Sequence, residues 1–356
     1  MDPLMLMGGP VIEPESEKAL PVTGDEFSAL TVMEMLANHK VLAVALSGGP
    51  DSMALLALVH EWALGKNIKI HAVTVDHALR IESAQEAQRV GETVGKFFPD
   101  VTHKVLRRNP DDIRPTRLQE DARHDRYDLM TDYCHAHGIT GLLLAHHEDD
   151  QVETFFFRLC KGSGLDGLAA MRSVSALESG ALTLYRPFLS IPKARLMATC
   201  QIRNLPYVND PSNRHDRFAR VRLRMLLKNL QGGLKAEGLS VSRLGTTTAR
   251  LGQAVEALNH YAEKEWQNCL IDSDVNGLSF DWQKFSTCPQ DIRMRLFMRA
   301  LKKVGDGRGY GPRRERLEEI DKNLVSSEAF TRMTFHHCVI ERSVPQNRLT
   351  FRMEKV

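Results

Sequence analysis

Residues 41–46, Val-Leu-Ala-Val-Ala-Leu, form an unbroken apolar run that opens directly into Ser47-Gly48-Gly49-Pro50-Asp51-Ser52. A short run without polar alternation is the pattern of a strand buried on both faces. Two glycines and a proline then require a tight turn into a helix with Pro near its first position. Strand, glycine turn and helix N-terminus in succession make an anion site, because free amides and the helix dipole converge where no Cβ blocks approach. Ser47 and Ser52 add hydroxyl donors. Asp51 is the odd member: a carboxylate beside phosphates repels them unless a cation intervenes, which points to Mg²⁺ bridging protein and nucleotide at Asp51. The competing reading is a plain turn with Asp and Ser as helix caps. The Gly-Lys-Ser/Thr ending of a Walker A loop is missing, so kinase or GTPase chemistry loses its usual support.

Downstream, apolar runs alternate with amphipathic stretches. Met53–Leu64 reads as a helix, Ile68–Val75 as a strand ending at Asp76-His77, Glu86–Phe97 as a helix and Val101–Leu106 as a strand. Leu118–His137 is helical with Gly138 as its C-cap, Gly141–Ala145 is a buried strand, and a helix follows from about Asp149 to Leu159. Leu182–Phe188 gives a further strand, and Ser190-Ile191-Pro192 starts another helix. Such alternation predicts a parallel α/β sheet. From 240 to 305 the pattern is nearly all helical, and Thr334–Glu341 with Arg348–Met353 resemble a terminal hairpin. The expected organisation is a loose leader over 1–24, an α/β domain over 25–235 and a helical domain over 236–356.

With 356 residues, 42% of them hydrophobic, the chain can build about two cores. Its net charge of +2 makes any nucleic-acid surface local. Residues 186–235 hold such an excess, eleven Arg/Lys against Asp210 and Asp216, which suits a phosphate backbone or else an ordinary solvated face. Arg313-Arg314-Glu315-Arg316 is a weaker second patch. The six cysteines form no Cys-x-x-Cys pair, so ribbon, cluster and thioredoxin-like readings have no support and a reducing, cytoplasmic setting is expected.

The remaining motifs follow in order: Asp76-His77-Ala78-Leu79-Arg80; Glu120-Asp121-Ala122-Arg123-His124-Asp125-Arg126; His146-His147-Glu148-Asp149-Asp150-Gln151-Val152-Glu153; Lys161-Gly162-Ser163-Gly164; Arg186-Pro187-Phe188; Asn209-Asp210-Pro211-Ser212-Asn213; and Phe218-Ala219-Arg220-Val221-Arg222-Leu223-Arg224. The Ser-Gly-Gly-x-Asp-Ser stretch resembles the PP-loop of the N-type ATP pyrophosphatases, and the whole series resembles the tRNA(Ile)-lysidine synthetases. The resemblance covers about residues 40–230 with specific motifs and the rest more weakly. Two positions depart from it: Ala78 stands where the family often has glycine, and Val221 where many members carry asparagine.

The resemblance implies a parallel-sheet PP-loop domain of the adenine-nucleotide α-hydrolase type, followed by a mainly helical C-terminal domain ending in a β-hairpin. It implies ATP and Mg²⁺ as cofactors, and as substrates free L-lysine and a tRNA(Ile) with a CAU anticodon. Lysine would be attached to C2 of the wobble cytidine through an adenylated intermediate, with release of pyrophosphate and AMP, often by a homodimer. Ser47, Gly48, Gly49, Asp51, Ser52, Asp76, His77, Lys161 and Gly162 would hold the nucleotide. Arg123, Arg126, Arg186, Asp210, Asn213, Arg220 and Arg224 would face the tRNA or substrate.

Lysine must attack as a neutral amine although its pKa in water is about 10.4. A carboxylate must therefore orient the ammonium and take its proton. Asp150 and Glu153, three residues apart on one helical face, are the candidates beside Asp51, for the amine or for a metal; for Asp149 and Asp150 the competing role is to complement the helix dipole. His146-His147 lack a second ligand pair at zinc-site spacing, and a satisfied histidine at a strand end fits better. The rival activities are a tRNA thiolase, a small-molecule synthetase with the same loop, and a nucleotide-binding RNA chaperone without catalysis.

Overall fold

The computed structural model describes residues 19–76, 83–108, 118–177, 182–208, 223, 225–226, 229, 233, 237–274, 277–305, 312, 314–327 and 330–354. Two compact units emerge, Met1–Lys161 with Ala170–Thr248, and Gly162–Ala169 with Ala249–Val356.

The first unit begins with α1 (Gly24–Ser28), α2 (Thr31–Leu36), β1 (Val41–Ala45), α3 (Pro50–Ala63) and β2 (Lys69–Asp76). It continues through α4 (Ser83–Phe97), β3 (Thr102–Arg107), α5 (Leu118–Ala136), β4 (Gly141–Leu143) and α6 (Glu148–Leu159). After α7 (Leu165–Leu168), which belongs to the second unit, come β5 (Val174–Ala176), β6 (Thr183–Tyr185) and α8 (Lys193–Ile202).

The sheet order is β3-β2-β1-β4-β6-β5. All pairs are parallel except β5 with β6. This is the parallel α/β sheet that the alternating pattern predicts, with β5 as an antiparallel edge strand too short to announce itself. Leu42, Ala43 and Val44 of β1 have no exposed surface. Helix α3 is apolar nearly all round and correspondingly buried, with Leu55, Leu56 and Leu58 fully enclosed. Each such leucine contributes about 1.5–3 kcal/mol by leaving water. Helix α4 instead buries only the stripe Ala87, Val90 and Val94.

Residues 20–26 are tied down rather than loose. Val22 is fully buried and its N–H donates to Thr199 Oγ1 at 2.8 Å. The Arg195 fork grips both Glu26 oxygens at 2.7 and 2.6 Å and reaches the carbonyls of Leu20 and Pro21. Both partners sit on α8.

In the second unit, α9 (Val241–Cys269), a helix that starts in the first unit, leads into β7 (Leu270–Ser273) and β8 (Gly277–Asp281). Then come α10 (Trp282–Thr287), α11 (Gln290–Val304), α12 (Arg314–Ser326), β9 (Arg332–Phe335), β10 (Cys338–Ser343) and β11 (Arg348–Met353). The strands form an antiparallel sheet in the order β7-β8-β11-β10-β9. The region is mainly helical as expected, and β10 and β11 form the terminal hairpin, with Cys338 opposite Met353.

Two expectations need correction here. The stretch 270–281 is a strand pair, not helix: its apolar residues Leu278 and Phe280 alternate inward while Gly277 and Asp281 flank them. And 334–341 is not one strand, because the chain reverses at His336 and His337, both at positive φ (52° and 59°). That backbone usually announces itself through Asn-Gly or Asp-Gly, and a His pair gives no such signal. Phe280 centres this core, with ring centroids of Trp266, Phe285 and Phe351 at 5.0, 5.7 and 5.9 Å. No helix among the described residues is long and apolar enough to cross a membrane.

Candidate active site

Where β1 ends, Gly48 takes φ +80° and a Cβ there would lie 2.5 Å from Val90 Cγ2. Both facts require glycine: the left-handed backbone strains other residues, and α4 closes the space behind. Gly49 is the N-cap of α3 and makes no side-chain cap bond, so the first-turn amides are left for a ligand. A Cβ at Gly49 would meet only Ser47 Oγ, at 3.6 Å, so the front of the turn is open.

The two serines shape the loop. The Ser47 N–H donates to Ser52 Oγ at 3.2 Å, the two hydroxyls lie 3.2 Å apart, and Ser52 Oγ donates to the Gly49 carbonyl at 3.0 Å. Behind them the Val208 N–H donates to the Gly48 carbonyl at 2.8 Å. Ser52 is therefore a buried brace of the loop, while the Ser47 hydroxyl stands nearer its mouth.

Strand β4 is the parallel neighbour of β1, with Ala43 opposite Leu142 and Val44 opposite Leu143. That register brings the end of β4 and the start of α6 to the mouth of the loop. His147, the N-cap of α6, sits there 4% exposed among three carboxylates. Its Nε2 is 3.6 Å from Asp51 Oδ2 and 3.5 Å from Asp150 Oδ2, and its Nδ1 is 3.6 Å from Asp149 Oδ2. These are ion-pair distances, slightly long for hydrogen bonds. Lys193, the first residue of α8, places Nζ 3.2 Å from Asp51 Oδ2, and its backbone N–H donates to Asp149 Oδ2 at 3.0 Å.

The electrostatics follow from this crowding. Burial disfavours a charged imidazole, but the surrounding carboxylates outweigh it and push His147 up to about 10. Burial also opposes ionisation of Asp51, yet His147 and Lys193 hold its carboxyl below the usual range. Asp149 is lowered likewise, with burial overcome by His147 and the Lys193 amide. Asp51 Oδ1 is buried without a hydrogen-bond partner. An ionised oxygen left bare at the mouth of an anion-binding loop fits a hard divalent cation.

The other expected residues take the following places. Asp150 Oδ2 accepts the His147 backbone N–H at 3.1 Å, closing a capping box, so it serves the helix N-terminus and faces the cluster at once. Glu153 lies three residues further along α6 and is buried. Asp76 ends β2, buried, with Oδ1 accepting from Ser83 Oγ at 2.6 Å. Lys161 follows the far end of α6, about three turns of helix from Asp150, with Nζ over the Phe157 ring at 4.3 Å. Gly162 has φ +68° and open space around it. Arg126 is exposed on α5.

Arg186 lies against β5. It is 8% exposed, and its Nη1 donates to the Arg172 carbonyl at 2.9 Å and Ser175 Oγ at 3.0 Å, fastening β5. His77, Asp210, Asn213, Arg220 and Arg224, and the side chain of Arg123, lie outside the described residues.

The basic segment 186–235 also looks different in three dimensions. Of its eleven cations, Arg186 braces a carbonyl, while Lys193, Arg195 and Arg203 pair with Asp51, Glu26 and Glu61. The other seven lie outside the described residues. In the second patch, Arg314 pairs with Asp291 and Glu318, and Arg316 with Glu319. Counting charges along the chain had no access to these partners.

Sequence reasoning missed Lys193 and the central place of His147. A signal existed for the lysine: a cation at the first position of a helix opposes the dipole, and a residue that breaks a local rule often answers to a ligand or a distant partner.

A PP-loop domain family model matches residues 24–230. A tRNA(Ile)-lysidine synthase from Methylobacterium nodulans is 39% identical over 280 residues, covering 78% of this chain and 79% of that protein. Another tRNA(Ile)-lysidine synthase, from a Bradyrhizobium species, is 36% identical over 324 residues, 87% of each chain. Among solved structures, the U34-tRNA thiolase NcsA from Methanococcus maripaludis superposes with a TM-score of 0.51 at 16% identity, over 65% of this chain and 78% of that one, which shows a shared fold alone. The anion loop at the end of β1, the charged cluster at its mouth and relatives aligned along most of the chain agree: the chain belongs to the tRNA(Ile)-lysidine synthase family of PP-loop enzymes.

Proposed function

We propose that this chain uses ATP to attach free L-lysine to C2 of the wobble cytidine in a tRNA(Ile) with a CAU anticodon, releasing AMP and pyrophosphate. The observation that carries the proposal is the Asp51–His147–Lys193 cluster at the mouth of the glycine loop, in a chain with lysidine-synthase relatives. It unites an anion cradle with fixed positive charge at the place where a polyphosphate would lie.

The carbonyl oxygen of cytidine is a poor leaving group and must first be adenylated. Attack of that oxygen on the α-phosphate breaks the bond to the β-phosphate and releases pyrophosphate. Charge building on the leaving group is met by the first-turn amides of α3, the Ser47 hydroxyl and Lys193 Nζ, all held before the reaction begins. Asp51 is the residue to hold Mg²⁺, which when bound would screen the polyphosphate and draw off charge from the leaving pyrophosphate. His147 keeps Asp51 and Asp149 gathered as ionised carboxylates beside Asp150 and is a positioning residue.

The second step needs a neutral lysine amine at C2, with AMP as leaving group. Asp150 and Glu153 on α6 are assigned to orient the ammonium and accept its proton. Asp76 and His77 at the end of β2, with Lys161 and Gly162, are assigned to the nucleotide. Arg123, Arg126, Asp210, Asn213, Arg220 and Arg224 are assigned to the tRNA. Arg186 is assigned to the tRNA or substrate as well, on a side chain whose Nη1 also braces β5. The enzyme is placed in the cytoplasm and acts as a homodimer, which sedimentation velocity would test.

The deciding experiment is transfer of radiolabelled lysine to a CAU-anticodon tRNA(Ile) transcript, with elongator tRNA(Met) as control. The expected result is ATP-dependent label on the first RNA only, stable to mild alkaline deacylation because a base-linked lysine is not an ester. Pyrophosphate release with a different acceptor, and no label on either RNA, would overturn the proposal.

A further inference from the structure

Away from the PP-loop, in the core of the second unit, Glu265, Cys269 and Cys288 bring one carboxylate oxygen and two sulfurs within 4.8 Å of one another. Glu265 and Cys269 are four residues apart on α9 and so share a face. Cys288 is the C-cap residue of α10 and comes to them from a separate element. Cys269 is fully buried, Cys288 is 7% exposed, and Glu265 is half-buried. Across the two elements Cys288 Sγ lies 3.9 Å from Glu265 Oε2.

The structure assigns to this cluster a binding site for one thiophilic divalent cation of the Zn²⁺ class, with Glu265, Cys269 and Cys288 as ligands. Two sulfurs and a carboxylate are a donor set that zinc accepts, and tetrahedral ligand atoms at ordinary bond lengths stand about 3.5–3.8 Å apart. Movements of about 1 Å or less in side chains that already converge would close the site. Each thiol would release its proton to solvent as the ion binds.

The surroundings hold these donors in place, as outer groups do around structural metals. Asn268 Nδ2 donates to Glu265 Oε2 at 3.0 Å and aims the carboxylate. Arg293 Nη1 donates to the Cys288 carbonyl at 2.6 Å, and the same guanidinium is fixed on both oxygens of Asp321 at 2.7 Å. Two buried thiols alone would be ordinary core packing. A carboxylate turned onto them is not, because it brings a polar group to an apolar wall where the Cys288 S–H adds only a weak donor to the bond from Asn268. A bound ion would pin the last turn of α9 to the end of α10, and its purpose would be structural.

The test uses the full chain, reduced and stripped with a chelator, titrated with Co²⁺ and then displaced by Zn²⁺. The expected result is one equivalent of Co²⁺ with a thiolate-to-metal charge-transfer band and tetrahedral ligand-field bands. The band should vanish in Cys269→Ser and in Cys288→Ser, affinity should fall at least tenfold in Glu265→Gln, and Cys160→Ser should leave both unchanged. If a serine variant fails to fold by circular dichroism, X-ray absorption on the zinc-loaded wild type replaces it, with two sulfur neighbours expected. Absence of a charge-transfer band in folded wild type, or fewer than two sulfur neighbours, would overturn the assignment. So would thiols that couple to each other and take up no ion.

Discussion

Lys193 Nζ and Asp51 Oδ2 lie 3.2 Å apart although 142 residues separate them. The pair joins the first turns of two helices, α3 and α8, across the mouth of the glycine loop. It leaves Asp51 Oδ1 bare while neutralising its twin, so one carboxylate faces a protein cation on one side and open coordination on the other.

Replacing that lysine separates its two roles. Lys193→Met should lower kcat/KM for ATP by roughly a hundredfold, the scale of losing one preorganised charge donor. Its side chain is 42% exposed, so the thermal midpoint should hardly move. Steady-state turnover with saturating lysine and tRNA measures the first, and a melting curve the second. Unchanged turnover would reduce the pair to a surface ion pair.

Gly48→Ala tests the loop itself. Left-handed backbone and a 2.5 Å contact with Val90 act together, and the loss should be about 1–3 kcal/mol in chemical denaturation. Adding Val90→Ala should recover the steric part and leave the backbone part. Full recovery in the double variant would mean that φ at this position carries no strain.

The charged cluster fixes a pH signature. The folded-state pKa of His147, about 10, lies above its ordinary value, so its contribution is complete below pH 6.5 and is lost as pH rises toward 10. Asp51 and Asp149 are depressed, so theirs is present above about pH 3.8 and is lost on further acidification. The stability difference between wild type and His147→Gln should therefore be largest between about pH 4 and 6.5 and shrink toward pH 10. Denaturant midpoints across that range would show it. A difference that grows with pH would contradict the charged imidazole.

In the second unit, Asp321→Asn should cost about 3–5 kcal/mol, because it leaves the Arg293 guanidinium buried against a neutral partner. The pair is 13% and 6% exposed, with both bonds at 2.7 Å. Urea unfolding of the full chain reads the loss as a shift of the transition that reports on Trp266. A change below 1 kcal/mol would mean that water reaches the guanidinium.

The first unit was legible because its signals are local. An apolar run, two glycines and a proline describe β1, the turn and α3 without reference to anything distant, and Asp51 was visible as an anomaly inside that motif. Lys193 was not, since its meaning depends on Asp51 far away in the chain. Asp150 was singled out for chemistry and is also a capping residue, a dual role that spacing cannot divide. Arg186 was singled out from its motif for the tRNA or substrate, and its burial against β5 is a tertiary property the motif does not carry. The strand pair at 270–281 and the reversal at His336-His337 escaped because pairing with β11 and a left-handed backbone overrode weak local preferences. Cys269 and Cys288, nineteen positions apart, match no metal motif and meet only through the fold.

The clasp between α8 and the amino-terminal segment has a consequence in time. Glu26 emerges from the ribosome 169 residues before Arg195, its partner, and Val22 emerges 177 residues before Thr199. At about 5–20 residues per second, roughly ten to thirty seconds pass between the two halves of each contact. Throughout that interval β1 and the glycine loop exist as nascent chain without the helix that supplies Lys193. The phosphate loop is thus synthesised well before it is completed, so a pause or truncation before residue 193 leaves a chain that carries the motif without the charge that finishes it.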